Sequence, residues 1–312
     1  MSPGTSDLRV RVVPIALPPK HTLQAYLGAF RLEGGWQLKS RNDMFFGYSS
    51  MVPQPDGRIL ALNDAGDYLR FSPPGVLPPR LQIGGIGFRE HVGGKKYRDV
   101  ESVAHDPVTG RYWLGLESRN MIVRTDARLV EEAGVAPRAM AGWGLNTGPE
   151  ALARLPDGRF VTIREVTRSL FDPRLHEAVL FDGDPVEHPD GHRFLFEGPD
   201  NFSVVDMALL PDGRALILMR RLLWPLPMRF AGRIVVADTR QIRPGKVWHS
   251  LPLASLASVL PVDNFEAIGV VPRPDGRVTV WLMSDDNGMR VWQRTLLWKL
   301  SVDPRRLPWP KR

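Results

Sequence analysis

A four-residue turn sequence recurs along this 312-residue chain and limits the folds open to it. Pro-Asp-Gly-Arg stands at Pro55–Arg58, Pro156–Arg159, Pro211–Arg214 and Pro274–Arg277, and a looser copy, Asp106–Arg111, fills the gap between the first two. The turn arginines, Arg58, Arg111, Arg159, Arg214 and Arg277, step by 53, 48, 55 and 63 residues. Internal periods near 50 residues mark propellers and other arrays. Each copy lies between apolar runs such as Glu150–Leu155 and Phe160–Ile163, or Asp206–Leu210 and Ala215–Met219. The runs are short, rich in branched and aromatic residues, and bounded by turn formers, so they read as strands. Pro presets φ at the first central turn position, Asp bonds its own backbone, and Gly supplies the positive φ that closes the turn. Each unit is therefore a β-hairpin.

A lone hairpin is marginal in water, so the units must ring or stack together to bury their faces. No helix-period segment of useful length separates them, which argues against alternating βαβ units. Four-stranded antiparallel blades around a channel fit the period, and the expected fold is an all-β propeller. Five hairpins are visible. The 93 residues from Arg277 round to Arg58 through the termini leave room for a closing blade built from strands such as Leu8–Leu17, Phe30–Leu38 and Thr295–Val302. Six blades are expected, with five the open alternative. One propeller uses the whole of residues 1–312, with 1–7 and 303–312 as loose tails and Ser72–Pro79 and His91–Gly94 as surface loops.

The net charge of +7 describes a basic chain of good colloidal behaviour, or one that favours small anions, phosphoesters above all. Nucleic acid is not expected, because the Lys and Arg residues are dispersed and no basic run is interleaved with aromatics. No cysteine is present, which removes disulfides, thiolate chemistry and Cys zinc sites. No stretch approaches membrane-spanning length, and the start has no apolar signal region. The expectation is a soluble, unexported protein as written: cytoplasmic, or periplasmic if the true start carries a signal peptide. A monomer is expected.

Candidate chemistry gathers just before each inner strand. Four blades open with an acid eight to eleven positions ahead of the turn Arg: Glu101, Glu150, Asp206 and Glu266. Amides or second acids precede them at Asp99, Asn146, Asn201 and Asn264, while the first blade carries Tyr48-Ser49-Ser50 instead. Inner strands of a propeller run together along the axis, so equivalent positions meet at one mouth. Carboxylates so gathered repel one another unless a cation or arginine neutralises them. Hard oxygen ligands suit Ca²⁺ or Mg²⁺. The candidate metal ligands are Glu101, Asn146, Glu150, Asp206, Asn264 and Glu266, with Ca²⁺ the leading cation. The alternative is that each acid caps loop amides or pairs with an arginine of its own blade. A second polar set ends the second strands: Asn63-Asp64, Glu117, Arg164-Glu165, Arg220-Arg221 and Ser284–Asn287. Those strands run antiparallel to the first and return to the same mouth, which makes Arg164, Arg220 and Arg221 candidates to hold an anionic substrate.

Other signals carry less. Gly47–Met51 has only half of a Gly-x-Ser-x-Gly elbow around Ser49. No Walker A, dinucleotide fingerprint or His-Glu-x-x-His is present. His188 and His192 are separated by Pro and Gly, which forbids the helix that would align them.

With these acids and turns in place, the chain resembles the phytase-like domain family described as having esterase-like activity, from about Asn42 to Val302. The resemblance is carried by the order of segments: Gly47–Val52 with Leu60–Gly66, Asp99–Ala104 with Leu116-Glu117, Asn146–Leu152, Asp206–Arg214 followed by Met219–Arg221, and Asn264–Gly269 with Ser284–Asn287. Ala151 and Ala267 stand where the family often has Gly. The resemblance implies hydrolysis of phosphoesters or carboxylesters on a β-propeller. The expectation is a metal-assisted hydrolase of small anionic esters, with Glu150 and Glu266 as catalytic candidates. The rival is a non-catalytic propeller acting as a ligand- or protein-binding platform, and a lactonase or sugar-oxidising propeller is a third reading.

Overall fold

The computed structural model describes residues 9–89, 98–169, 171–223, 229–289 and 292–310. The loop expected at 91–94 and the tail at 1–7 lie outside the described residues. Strands dominate, and the one α-helix, Lys20–Leu27, is eight residues long. No described helix is long and apolar enough to cross a membrane.

Each turn motif closes a hairpin as its chemistry requires. In Pro55–Arg58 the amide of Gly57 bonds the carbonyl of Gln54, Gln54 N–H bonds the Arg58 carbonyl, and Asp56 accepts from Arg58 N–H. Gly57, Gly158, Gly213 and Gly276 all have φ between +77° and +89°, a region that excludes most side chains. The hairpins grow into antiparallel sheets. Blade one is β3 (Tyr48–Pro53), β4 (Ile59–Asn63), β5 (Asp67–Phe71) and β6 (Leu81–Gly85); blade two is β7 (Val100–His105), β8 (Tyr112–Leu116), β9 (Met121–Thr125) and β10 (Glu131–Val135). Blade three is β11 (Pro149–Arg154), β12 (Phe160–Ser169), β13 (Asp172–Phe181) and β14 (His192–Glu197). Blade four is β15 (Ser203–Leu209), β16 (Arg214–Leu223), β17 (Arg229–Asp238) and β18 (Val247–Leu256), and its outer strand pairs in parallel with β14.

The strands expected to build a sixth blade complete the fifth instead. β19 (Asn264–Pro272), β20 (Val278–Asp285) and β21 (Leu296–Val302) are followed in the same sheet by β2 (Arg31–Lys39) and β1 (Arg11–Pro14) from the other end of the chain. Five blades are formed among the described residues, and β19 lies against β3 to close the ring. Five apolar cores fill the gaps between neighbours. Leu60 and Leu62 meet Val103 and Leu114 between blades one and two, and Tyr48 and Met51 meet Trp281 and Met283 between blades one and five. Polar latches tie inner strands together: Ser49 Oγ donates to the Val100 carbonyl and Ser102 Oγ to that of Pro149.

The segment 303–310, expected to be loose, is strapped across blade four. Arg214 is 1% exposed; Nη1 donates to the carbonyls of Leu307 and Pro308, Nη2 to that of Pro304, and its guanidinium lies 4.2 Å from the Trp309 ring centroid. Asp212 holds the same guanidinium at 2.6 Å. Arg159, its counterpart in blade three, pairs with Asp157 at the surface. Replacing a buried, fully bonded cation strands its partners, whereas exposed pairs contribute little. Arg214→Ala is expected to lower the unfolding free energy by about 3 kcal/mol and Arg159→Ala by under about 1 kcal/mol, measured by urea denaturation. Equal losses would contradict the strap.

Candidate functional site: an acidic mouth on the channel

In every blade the pairing of the inner strand with the second slips by one residue near the start of the inner strand. The shifts fall between Tyr48 and Ser50, Val100 and Ser102, Pro149 and Ala151, Val204 and Asp206, and Phe265 and Ala267. A β-bulge leaves one residue outside the ladder and re-aims its side chain. The residues so placed are Ser49, Glu101, Glu150, Val205 and Glu266. All except Val205 line one cavity of about 330 Å³ at the mouth of the channel.

The second strands supply the rest. Asp64, Glu117, Glu165 and Arg220 each stand six residues after their turn Arg, and Asp285 stands eight after Arg277. All five line the same cavity. With Asp99 they bring eight carboxylates around Arg220, the one cationic side chain among the described lining residues. Two glycines let acids come this close. A Cβ on Gly148 would stand 2.7 Å from the Glu117 Cα, and one on Gly47, at φ +62°, 2.9 Å from Asp64 Oδ1.

Two groups of oxygen atoms have metal-ligand spacing. Asp99, Glu101 and Glu117 each offer a carboxylate oxygen within 4.8 Å of the others, and so do Glu117, Glu150 and Glu165. Glu117 belongs to both, and its Oε1 accepts from Gly148 N–H at 3.3 Å. Glu266 is held apart from these groups: its Oε1 accepts from Asn264 Nδ2 at 2.6 Å and from Arg220 Nη1. Arg220 also reaches Asn264 Oδ1 at 3.0 Å and Glu165 at 3.2 Å.

The charge state follows from this crowding. Burial pushes the Glu101 carboxyl well above the usual range, and Glu266 and Glu117 push it further. Burial does the same for Glu150, with Glu101 and Glu165 adding to it. Glu117 is raised to about 7 by burial and by Asp99 and Glu165. Burial also raises Asp285 and Glu266, the latter restrained by Arg220 and Asn264. For Arg220 burial acts downward, but Glu266, Glu165 and Glu150 together raise its pKa.

Of the residues expected from sequence, Glu101, Asn146, Glu150, Glu266 and Arg220 share the cavity, Asn146 at its exposed rim. Asn264 stands behind Glu266 and positions it. Asp206 is displaced. The bulge in blade four falls on Val205, so Asp206 sits one residue deeper and accepts from the amides of Met207 and Ile268. It latches blade four to blade five. Arg164 turns away to Thr147 and Glu177, and Arg221 is exposed on the opposite side of its strand from Arg220. Ser49 lines the cavity, but its hydroxyl donates to the Val100 carbonyl at 2.5 Å, which ties it up as a latch. Asp64, Asp99, Glu117, Glu165 and Asp285 were not among the expected ligands. For Asp64, Glu117 and Glu165 the available signal was a shared offset of six residues from the turn arginine; Asp99 and Asp285 do not share it.

The sequence profile of the phytase-like family, described as esterase-like activity of phytase, matches residues 44–288. No curated protein matches the chain. Among solved structures, the chain is similar at 12% identity to a luciferin-regenerating enzyme, with TM-score 0.45, over 92% of this chain and 91% of that one. It is similar at 12% identity to the WD40 β-propeller domain of Doa1, with TM-score 0.39, over 90% and 100%. Kuenenia stuttgartiensis hydrazine synthase is similar at 12% identity and TM-score 0.40 over 80% of this chain, which spans 59% of that chain's length. Because the family profile runs through all five inner strands and the acids they carry, the chain belongs to the phytase-like family, whose description is esterase-like activity of phytase.

Proposed function

We propose that the acidic mouth binds divalent cations, Ca²⁺ foremost, and hydrolyses phosphoesters or related small anionic esters. The observation that carries this reading is the charge imbalance: eight carboxylates converge on a cavity lined by a single arginine. An anion cannot enter such a site until positive charge is added. The donors are all hard oxygens, which fits Ca²⁺ or Mg²⁺. Asp99, Glu101 and Glu117 would hold one cation, and Glu117, Glu150 and Glu165 a second. A cation bound there supplies charge to a phosphoryl or carbonyl oxygen and lowers the pKa of bound water.

The chain's own residues would do the remaining work. Among the described residues Arg220 uses both Nη1 donors and one Nη2–H on its neighbours, which leaves Nε–H and the second Nη2–H as the donors that would meet a substrate oxygen. Glu266, oriented by Asn264 and outside both cation groups, would be the carboxylate that takes a proton from the attacking water. Blade four, with Val205 and Arg220 where its neighbours carry acids, is the wall that would face the anionic group.

Two expectations follow. Glu101→Gln and Glu150→Gln should weaken Ca²⁺ binding and abolish ester hydrolysis together, read by calorimetry and turnover of a chromogenic phosphoester. Glu266→Gln should keep Ca²⁺ binding and lower turnover by about 100-fold or more. Cation binding without hydrolysis of any phosphoester or ester by the parent protein would favour the binding-platform reading. The second expectation concerns pH in cation-stripped protein. Folded Glu117 keeps its proton up to about pH 7, whereas its ordinary value is 4.5. The fold then holds more protons than the unfolded chain across that window, so stability falls as pH rises through it. The melting temperature should decline across the window, and Glu117→Gln should flatten the decline. A rise would contradict the charge account.

A further inference from the structure

Glu165 and Arg220 occupy the same place in neighbouring blades, six residues after their turn arginines, yet their strands hold them differently. Arg220 belongs to a ladder that pairs β16 with β17 without a break from Arg214 to Leu223. The β12–β13 ladder breaks at the corresponding point: Ile163 pairs with Ala178, and the next pair is Thr167 with His176. Residues 164–166 therefore bulge opposite the single residue Glu177. A bulge takes backbone groups out of the ladder, and those facing the interior need other partners. The Glu165 N–H finds one in the Gly148 carbonyl, at 3.3 Å.

On the carbonyl side the partner is His176. It is buried, and its ring packs against that of Phe196 with centroids 6.1 Å apart. Its Nδ1 lies 3.3 Å from the Arg164 carbonyl oxygen. A carbonyl can only accept, so Nδ1 carries the proton and donates it. Backbone acceptors of Glu165, Val166 and Phe202 also stand near the ring. Nε2 is buried with no partner among the described residues. An apolar side chain would fill this space without orphaning a nitrogen; what the imidazole adds is the Nδ1 donor. From the other side the Arg164 side chain pins the same bulge, donating to Glu177 at 2.9 Å and to Thr147 Oγ1 at 3.0 Å.

We propose that His176 is a positioning residue: through Nδ1–H and the Arg164 carbonyl it holds the bulge that aims Glu165 into the acidic mouth. The consequence for cation binding rests on the reading of Glu117, Glu150 and Glu165 as one cation group; the hold on the bulge does not. His176→Leu keeps apolar bulk and removes the donor, whereas His176→Asn puts an amide N–H where Nδ1 stands. Calorimetric titration of the full chain with Ca²⁺ should show one binding event weakened about 10- to 100-fold by His176→Leu, as when the support behind a ligand is lost, and restored by His176→Asn. Glu165→Gln should weaken the same event, and the double variant should bind no more weakly than Glu165→Gln alone. Backbone hydrogen exchange in cation-free protein gives an independent readout. Residues 164–167 should exchange faster in His176→Leu than in the parent or in His176→Asn, with the other blades unchanged. If the parent takes up no Ca²⁺, the hydrolase reading fails and the exchange comparison alone decides this proposal. If His176→Leu does not fold, nitrogen-15 spectra of the parent's histidine rings decide it: the Nδ1–H tautomer of His176 supports it, and the Nε2–H tautomer overturns it. Equal exchange in parent and variants overturns it, as does a loss that His176→Asn fails to restore. Where the parent binds Ca²⁺, an unweakened His176→Leu or an additive double variant overturns it too.

Discussion

Repulsion among eight carboxylates, opposed within the lining by one guanidinium, is the constraint around which this propeller is organised. The ring of blades supplies the force that holds them together. Five apolar cores fix the inner strands, and of five bulges in phase four turn a residue into the mouth, Val205 of blade four being buried in a core instead. The acids gain nothing locally from this arrangement, as their raised pKa values record. This gathering of like charges is the observation on which the proposed cation site rests.

Blade four breaks the symmetry. Its bulge carries Val205 and its second strand Arg220, so it adds a cation where its neighbours add acids. It is also the blade that receives the C-terminal strap through Arg214, and its second strand, like that of blade three, continues past the mouth residue, β16 beyond Arg220 and β12 beyond Glu165. The lining therefore has a direction: acids on four sides and a guanidinium on the fifth.

Much of this was legible in the sequence, and the parts that were not have physical reasons. The Pro-Asp-Gly-Arg turns encode their hairpins locally, so strand positions, all-β class and the gathering of Glu101, Glu150 and Glu266 at one mouth could be read directly. The blade count could not, because closure pairs β2 from one end of the chain with β21 from the other, and such a contact leaves no local signal. Asp206 was misplaced by one residue: a bulge shifts the facing of everything after it, and no residue type marks which position it takes. Arg164 and Arg221 were misjudged through strand alternation, where adjacent side chains point to opposite faces. The Asp64, Glu117, Glu165 and Asp285 set was visible as polar strand ends, which are ordinary at a surface; the further signal was a shared distance from the turn in Asp64, Glu117 and Glu165, which Asp285 does not keep.

The most direct test of the central claim is the metal content and melting temperature of the purified protein, before and after chelation and with Ca²⁺ restored. The charge account predicts that the protein retains a divalent cation, that chelation lowers the melting temperature, and that Ca²⁺ restores it in a concentration-dependent way. A protein without metal, whose melting is indifferent to chelator and to added Ca²⁺, would mean that Arg220 and buried protons alone balance the acids, and the account would be wrong.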